Sequence, residues 1–232
     1  MQLLTFPYAF GTDGIYDGLT KELSKKIKVK NMNYPGHGKR ITENLMYSIE
    51  EIANDAISSI KDINEDYALL GYSMGAKVCC EIIRQIEEKS YRKPKHIFFV
   101  ASDPPSNAIK MSKADEIDLQ EARDILRKMG NTPKEVLESK ELMEFFHPII
   151  KADAKALESY HCPSWPLASG DIAVTIINGK GDAAREKEKA WKKFLPKSAS
   201  CEFLRFDGSH FFLFENRESL SSVKDVVLNK LL

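Results

Sequence analysis

A chain of 232 residues with 43% apolar content has enough material for one buried core, and its 34 basic and 34 acidic residues leave no net charge with which to hold a nucleic acid or an anionic membrane. The opening "MQLLTFPYAFG" carries no basic segment, and no apolar run approaches the width of a bilayer, so neither a secretory leader nor a membrane span is expected. Cys79, Cys80, Cys162 and Cys201 include an adjacent pair but no C-x-x-C spacing; this speaks against a zinc site or disulfide framework and for a reducing cytoplasm.

In chain order, "QLLTFP" at the start, "IKVKNMNYP" from Ile27, "DYALLGYS" from Asp66, "KHIFFVAS" from Lys95, "DIAVTIING" from Asp171 and "CEFLRFDG" from Cys201 read as strands. Each is short, rich in β-branched or aromatic residues, and closed by turn residues. Helical spacing falls between several of them: Ile49, Ile52, Ala53, Ala56, Ile57 and Ile60 share one face, with Ser48 and Glu51 spaced as a capping box. Leu220, Val223, Val226, Val227 and Leu231 repeat that spacing at the end of the chain. Strands alternating with helices, several of them apolar nearly throughout, predict an α/β fold with a mostly parallel central sheet flanked by helices. One domain spanning residues 1–232 is expected.

From about residue 103 to residue 160 the alternation stops, and only helical pieces are found. Within them Thr132, Pro133 and Glu135 are spaced as N-cap, first-turn proline and capping-box acid. An insertion of this size is either a lid over the sheet or an ordinary helical subdomain.

The octet "LLGYSMGA" sets Gly71, Ser73 and Gly75 in a G-x-S-x-G pattern. A strand precedes it and the helical "AKVCCEIIRQIEE" follows, which is the strand, sharp turn and helix that an exposed nucleophilic serine requires. The same pattern in isolation is a turn. A serine hydroxyl needs a base to take its proton, and five histidines are on offer. His96, His147 and His161 read as packing or surface residues, and His37, on a glycine-rich turn, precedes the serine. His210, in "FDGSHFFLFE", follows the last strand, where the base of a serine, acid, histidine series belongs.

The acid falls between the serine and the histidine. Asp182, in "INGKGD", directly follows a strand and is the best candidate; Asp103, after an earlier strand, is the next, while Asp171 lies at the opposite end of its strand and Asp207 reads as a turn residue. An oxyanion needs two backbone donors. The N–H of Met74 is one, and that of Ala9 or Phe10, in the loop "FPYAFG", is the other unless that loop is an ordinary turn.

Taken together these blocks resemble the type II thioesterases, the discrete α/β hydrolases that accompany nonribosomal peptide and polyketide synthases. "FPYAFG" is similar to the family's F-P-x-A-G-G, "YPGHGKRITE" to its Y-P-G-R-G-x-R-x-x-E, and "LLGYSMGA" to its G-H-S-M-G-A. The segment "MGNTPKEVLESKELMEFFHPIIKADAKALESY" is similar to its L-G-G-T-P-x-E lid with the P-x-L-R-A-D continuation, and "GKGD" and "GSHFFL" to its acid and histidine blocks. The resemblance implies Ser73 as nucleophile, Asp182 as acid, His210 as base, backbone donors at Ala9 and Met74, and the insertion as a lid over an acyl channel. Tyr8, Phe10, His37 and Tyr72 depart from the pattern, standing where the family often has histidine, glycine, arginine and histidine.

The implied reaction is hydrolysis of acyl thioesters on the phosphopantetheine arm of carrier proteins, as an editing step and with no metal or bound cofactor. The implied partners are acyl or peptidyl carrier proteins, and a monomer is expected. Phe10 and Tyr72, with Met111, Met129, Met143 and Phe146 of the insertion, are the expected channel or lid residues, although lid-core packing accounts for the same methionines. Lys39 with Arg40, or Arg123 with Arg127 and Lys128, are the basic clusters available to an acidic carrier. Two rival readings keep the same residues: an esterase or acyl-CoA thioesterase of small free substrates, and a hydrolase-shaped protein that binds acyl carriers without turnover.

Overall fold

The computed structural model describes residues 1–106, 113–130, 132–167 and 172–232. Six strands, β1 (Gln2–Phe6), β2 (Lys28–Asn31), β3 (Tyr67–Tyr72), β4 (His96–Val100), β5 (Ala173–Gly179) and β6 (Cys201–Phe206), form one sheet in the order β2-β1-β3-β4-β5-β6. Every neighbouring pair is parallel. The sequence explains which strands lie inside: every residue of "YALLGY" and "HIFFV" is buried, whereas no residue of "KVKN" or "CEFLRF", the two edge strands, is fully buried.

Helices α1 (Asp17–Leu23), α2 (Ile49–Ile60) and α3 (Met74–Glu88) lie between the early strands. Helices α4 (Leu119–Met129), α5 (Lys134–Glu138) and α6 (Lys140–Ser159) all fall between β4 and β5, and α7 (Ala184–Phe194), α8 (Phe212–Glu215) and α9 (Arg217–Leu231) complete the chain. One face of the sheet packs α2, α3 and the Trp191 and Phe194 side of α7, and the other packs α1, α8 and α9. The insertion has a small core of its own, built from Ala114, Ile117, Ala122, Leu126, Met143, Ile150 and Ala154. Among the described residues no helix is long and apolar enough to cross a membrane.

The two caps expected from the sequence are both altered in the structure. The Ser48 hydroxyl accepts from the Glu51 N–H at 3.1 Å, but the Glu51 carboxylate receives the Tyr47 N–H instead of reaching back to Ser48. At α5 the expected cap moves by one residue: Pro133, with ψ 143°, is the N-cap, Lys134 is the first helical residue, and Thr132 lies outside. The Pro133 carbonyl, which accepts from Val136 and Leu137, begins that helix without help from a side chain.

Candidate active site

Ser73 is the single residue between β3 and α3, at φ 52° and ψ −107°. A side-chain-bearing residue in such a conformation costs roughly 1–3 kcal/mol and persists only where its surroundings hold it. Two glycines make that possible. A Cβ on Gly71 would stand 2.3 Å from the Gly75 carbonyl oxygen, and one on Gly75 would stand 2.2 Å from the carbonyl oxygen of Phe6 in β1. The Ser73 N–H donates to the Val100 carbonyl at 2.9 Å, fastening the turn to β4, and its hydroxyl makes no capping bond to α3.

Asp182 and His210 come from the loops that follow β5 and β6. Backbone bonds join these loops: Lys180 N–H to the Phe206 carbonyl at 2.8 Å and Gly181 N–H to the Gly208 carbonyl at 2.9 Å. His210 Nδ1 lies 2.8 Å from Asp182 Oδ2, and Lys187 Nζ, from α7, donates to the same oxygen at 2.6 Å. Burial alone would push the Asp182 carboxyl up; its bonds to His210 and Lys187 outweigh that and hold it below the ordinary carboxylate range. The Tyr72 hydroxyl donates to the His210 carbonyl, and the Tyr72 and Phe211 rings meet the imidazole edge to face. Of the two acids considered, Asp182 is thus the one bonded to His210. Asp103 contributes its backbone carbonyl, which accepts from Lys77 Nζ at 3.3 Å and from the Ser102 hydroxyl at 2.8 Å.

The loop after β1 is held from several directions. The Tyr16 hydroxyl donates to the Phe6 carbonyl at 2.6 Å, the Tyr34 hydroxyl to the Pro7 carbonyl at 2.7 Å, and Gly11 N–H closes a turn on the Tyr8 carbonyl at 3.1 Å. Phe10 takes φ 68°, and its N–H donates to Asp153 Oδ2 of α6 at 2.6 Å. Of the two amides considered as oxyanion donors, that of Phe10 is therefore engaged elsewhere, which leaves Ala9.

His37 is buried, with Nε2 3.1 Å from Asp153 Oδ2 and Nδ1 3.0 Å from the Pro35 carbonyl. Burial would push its imidazole down, but the Asp153 charge and hydrogen bond, with the Pro35 carbonyl, raise it above the usual histidine range.

A cavity of about 180 Å³ opens between this loop and the insertion, lined by Tyr8, Ala9 and Phe10 below and by Leu126, Met129 and Phe146 among others above. Three expected channel residues, Phe10, Met129 and Phe146, line it. Two do not. Tyr72 is wholly buried on the opposite face of the sheet, behind His210, because successive residues of β3 point to opposite faces; Met143 is wholly buried in the insertion's own core. Met111 lies outside the described residues.

Four residues of the basic clusters are engaged within the chain. Lys39 pairs with Asp13, Arg40 with Asp55 and Glu43, and Arg127 with Asp124, while Arg123 donates to Gln120 and to the Leu137 carbonyl.

Lys187, Tyr16 and Tyr34 escaped the reading of the sequence, and Asp153 entered it only as the last residue of the block similar to P-x-L-R-A-D, with no role attached. Lys187 sits five residues beyond Asp182, one turn into the following helix, a spacing that could have flagged it. Asp153 joins segments 143 residues apart, and no local pattern announces such a contact.

A parallel sheet with a strained serine turn after a central strand, and an Asp–His pair on the loops after two later strands, has the architecture of an α/β hydrolase. Within that class the chain belongs to the thioesterase family, whose thioesterase-domain model matches residues 1–226. It is 26% identical over 220 residues to the human "S-acyl fatty acid synthase thioesterase, medium chain", covering 92% of this chain and 81% of the relative. It is 29% identical over 223 residues to the gramicidin S biosynthesis protein GrsT of Aneurinibacillus migulanus, covering 94% and 84%. Its fold is similar to that of the RedJ thioesterase from the prodiginine biosynthetic pathway in Streptomyces coelicolor, with a TM-score of 0.85 at 24% identity over 100% of this chain and 90% of that one.

Proposed function

We propose that this enzyme is a serine thioesterase that releases acyl groups from the phosphopantetheine thiol of carrier proteins, clearing stalled or aberrant acyl groups from a nonribosomal peptide or polyketide synthase. The observation that carries the reading is the 2.8 Å bond between His210 and Asp182 at the sheet edge where Ser73 occupies its strained turn. Similarity to GrsT, a gramicidin S biosynthesis protein, and to RedJ, a thioesterase from the prodiginine biosynthetic pathway, supports the choice of substrate class.

In this reading His210 Nε2 takes the Ser73 proton as Oγ attacks the thioester carbonyl carbon. The oxyanion rests on the N–H groups of Ala9 and Met74, the latter an amide of the first turn of α3 with no carbonyl one turn earlier to accept it. The C–S bond breaks, and the imidazolium protonates the departing thiolate. Water, deprotonated by His210, then attacks the acyl-enzyme ester; the carboxylic acid leaves and Ser73 regains its proton. Asp182 holds the imidazole in orientation and stabilises its charged form.

The whole chain acts as one hydrolase domain with residues 103–160, approximately, as the lid. The apolar cavity beside Ala9 and Phe10 is the place this reading gives to the acyl chain.

The test compares kcat/KM for a short acyl group on a carrier protein, on coenzyme A and as a p-nitrophenyl ester. The carrier is expected to lead by at least about tenfold, or ~1.4 kcal/mol. Equal values would assign the site to small free substrates. Ser73→Ala should abolish both turnover and fluorophosphonate labelling.

A further inference from the structure

The loop that supplies Ala9 is tied to the insertion by one carboxylate. Asp153 is completely buried in α6; its Oδ2 accepts the Phe10 N–H at 2.6 Å and faces His37 Nε2 at 3.1 Å, while Oδ1 has no partner among the described residues. Three segments distant in sequence, the loops after β1 and β2 and the middle of α6, therefore converge on a single oxygen. What they hold is unusual for its residue type: Phe10 sits at φ 68°, a conformation that glycine adopts freely and a phenylalanine does not. An ionised acceptor forms the stronger kind of hydrogen bond with a backbone N–H, and in a dry interior it is stronger still.

Fixing the Phe10 amide also fixes the peptide plane it shares with the Ala9 carbonyl, and so limits how the Ala9 amide can turn. Tyr16 and Tyr34 restrain the chain just upstream, through the Phe6 and Pro7 carbonyls. The Gly11 N–H, bonded to the Tyr8 carbonyl at 3.1 Å, holds the peptide plane that carries the Ala9 N–H, and the Asp153 bond holds the next plane along the chain from outside the loop.

We propose that Asp153 is a positioning residue for the thioesterase reaction: from within the lid helix it holds the Phe10 N–H, and thereby aims the Ala9 amide at the oxyanion, with His37 keeping the carboxylate in place. This rests on the reading of Ser73, Ala9 and Met74 given above. It makes the seating of α6 and the competence of the oxyanion loop a single event. An open lid would leave the hydrolase with one oxyanion donor misaligned, so acyl transfer to water would be confined to the closed form.

The experiment uses the full chain and Asp153→Asn, an isosteric change that removes the charge. Expected is a fall in kcat on a short acyl thioester of about 100-fold, as for loss of one oxyanion donor, with KM within about threefold of wild type. An alkylboronic acid, which forms a tetrahedral adduct on the serine, should bind about 100-fold more weakly, whereas the non-hydrolysable amide analogue of the substrate should bind as before.

A structural role alone would weaken both ligands together or neither, and either result would overturn the proposal. If Asp153→Asn fails to fold, His37→Gln decides: a fall in kcat of about tenfold with a parallel loss of boronate affinity supports it, and parity with wild type overturns it. Wild-type enzyme without any thioester turnover would instead count against the functional reading.

Discussion

Two aspartate–histidine pairs sit at the carboxyl edge of this sheet, and they differ in nearly everything except composition. In the first, the His210 side chain is 33% exposed and bonds Asp182 through Nδ1, leaving Nε2 for a reacting group, while Lys187 shares the carboxylate. In the second, the His37 side chain is 4% exposed and both ring nitrogens are engaged, by the Pro35 carbonyl and Asp153. In the proposed mechanism the open pair exchanges protons with the substrate. The closed pair has no free nitrogen to offer; its bonds run to backbone, at Pro35 and Phe10. Residue identity did not separate these roles; exposure and the use of the second ring nitrogen did.

The sharpest way to break this contrast is to disable one member of each pair in turn. Asp182→Asn should lower kcat by about 10⁴-fold, since the amide favours the wrong imidazole tautomer, and should leave the fold intact. Asp103→Asn, which touches no histidine, serves as the control in the same thioester assay. Comparable losses from the two substitutions would show that the Asp182–His210 bond is not the one that matters.

His37→Ala should act on stability. It leaves Asp153 buried with one donor fewer, at a cost of about 3 kcal/mol in guanidinium unfolding. The pH dependence has opposite signs for the two pairs. His37 is raised above 6.5, so the stability it contributes is complete below that value and is lost as the pH climbs through its folded value. Asp182 is lowered from 3.8, so its contribution is complete above 3.8 and is lost as the pH falls through its folded value. The gap between wild type and His37→Ala should therefore narrow at alkaline pH.

How much of this was legible beforehand follows from the range of the interactions. The six parallel strands, the serine turn and the Asp182–His210 pair were readable because each is announced by residues adjacent in sequence: apolar runs, flanking glycines, and a turn after a strand. Tyr72 was misplaced because a strand reverses its face at every residue, and its neighbour Ser73 says nothing about which face that is. The departures at Phe10 and His37 drew notice only as mismatches. That Asp153 meets both of them depends on how α6 lies over the sheet, which no spacing within one segment reports.

A third histidine isolates what the acid does for His37. His96, in β4, is also buried, but its Nε2 meets the Thr175 hydroxyl at 2.8 Å and its ring stacks on Phe98; among the described residues no carboxylate bonds it. Burial first, and Lys230 second, push its pKa down to about 4. Above pH 6.5 the ring is neutral whether the chain is folded or not, and it contributes fully. As the pH drops below 6.5 the unfolded chain takes up a proton that the native state refuses until about 4, so stability is lost across that window. The loss should be on the order of 2 kcal/mol after allowance for solvent near the strand's end. Unfolding curves at steps between those pH values should show the decline in wild type and a flatter profile in His96→Gln, whose amide can still meet Thr175. Identical slopes in the two proteins would mean that His96 is protonated in the native state well above 4, and that burial without an acid does not separate it from His37.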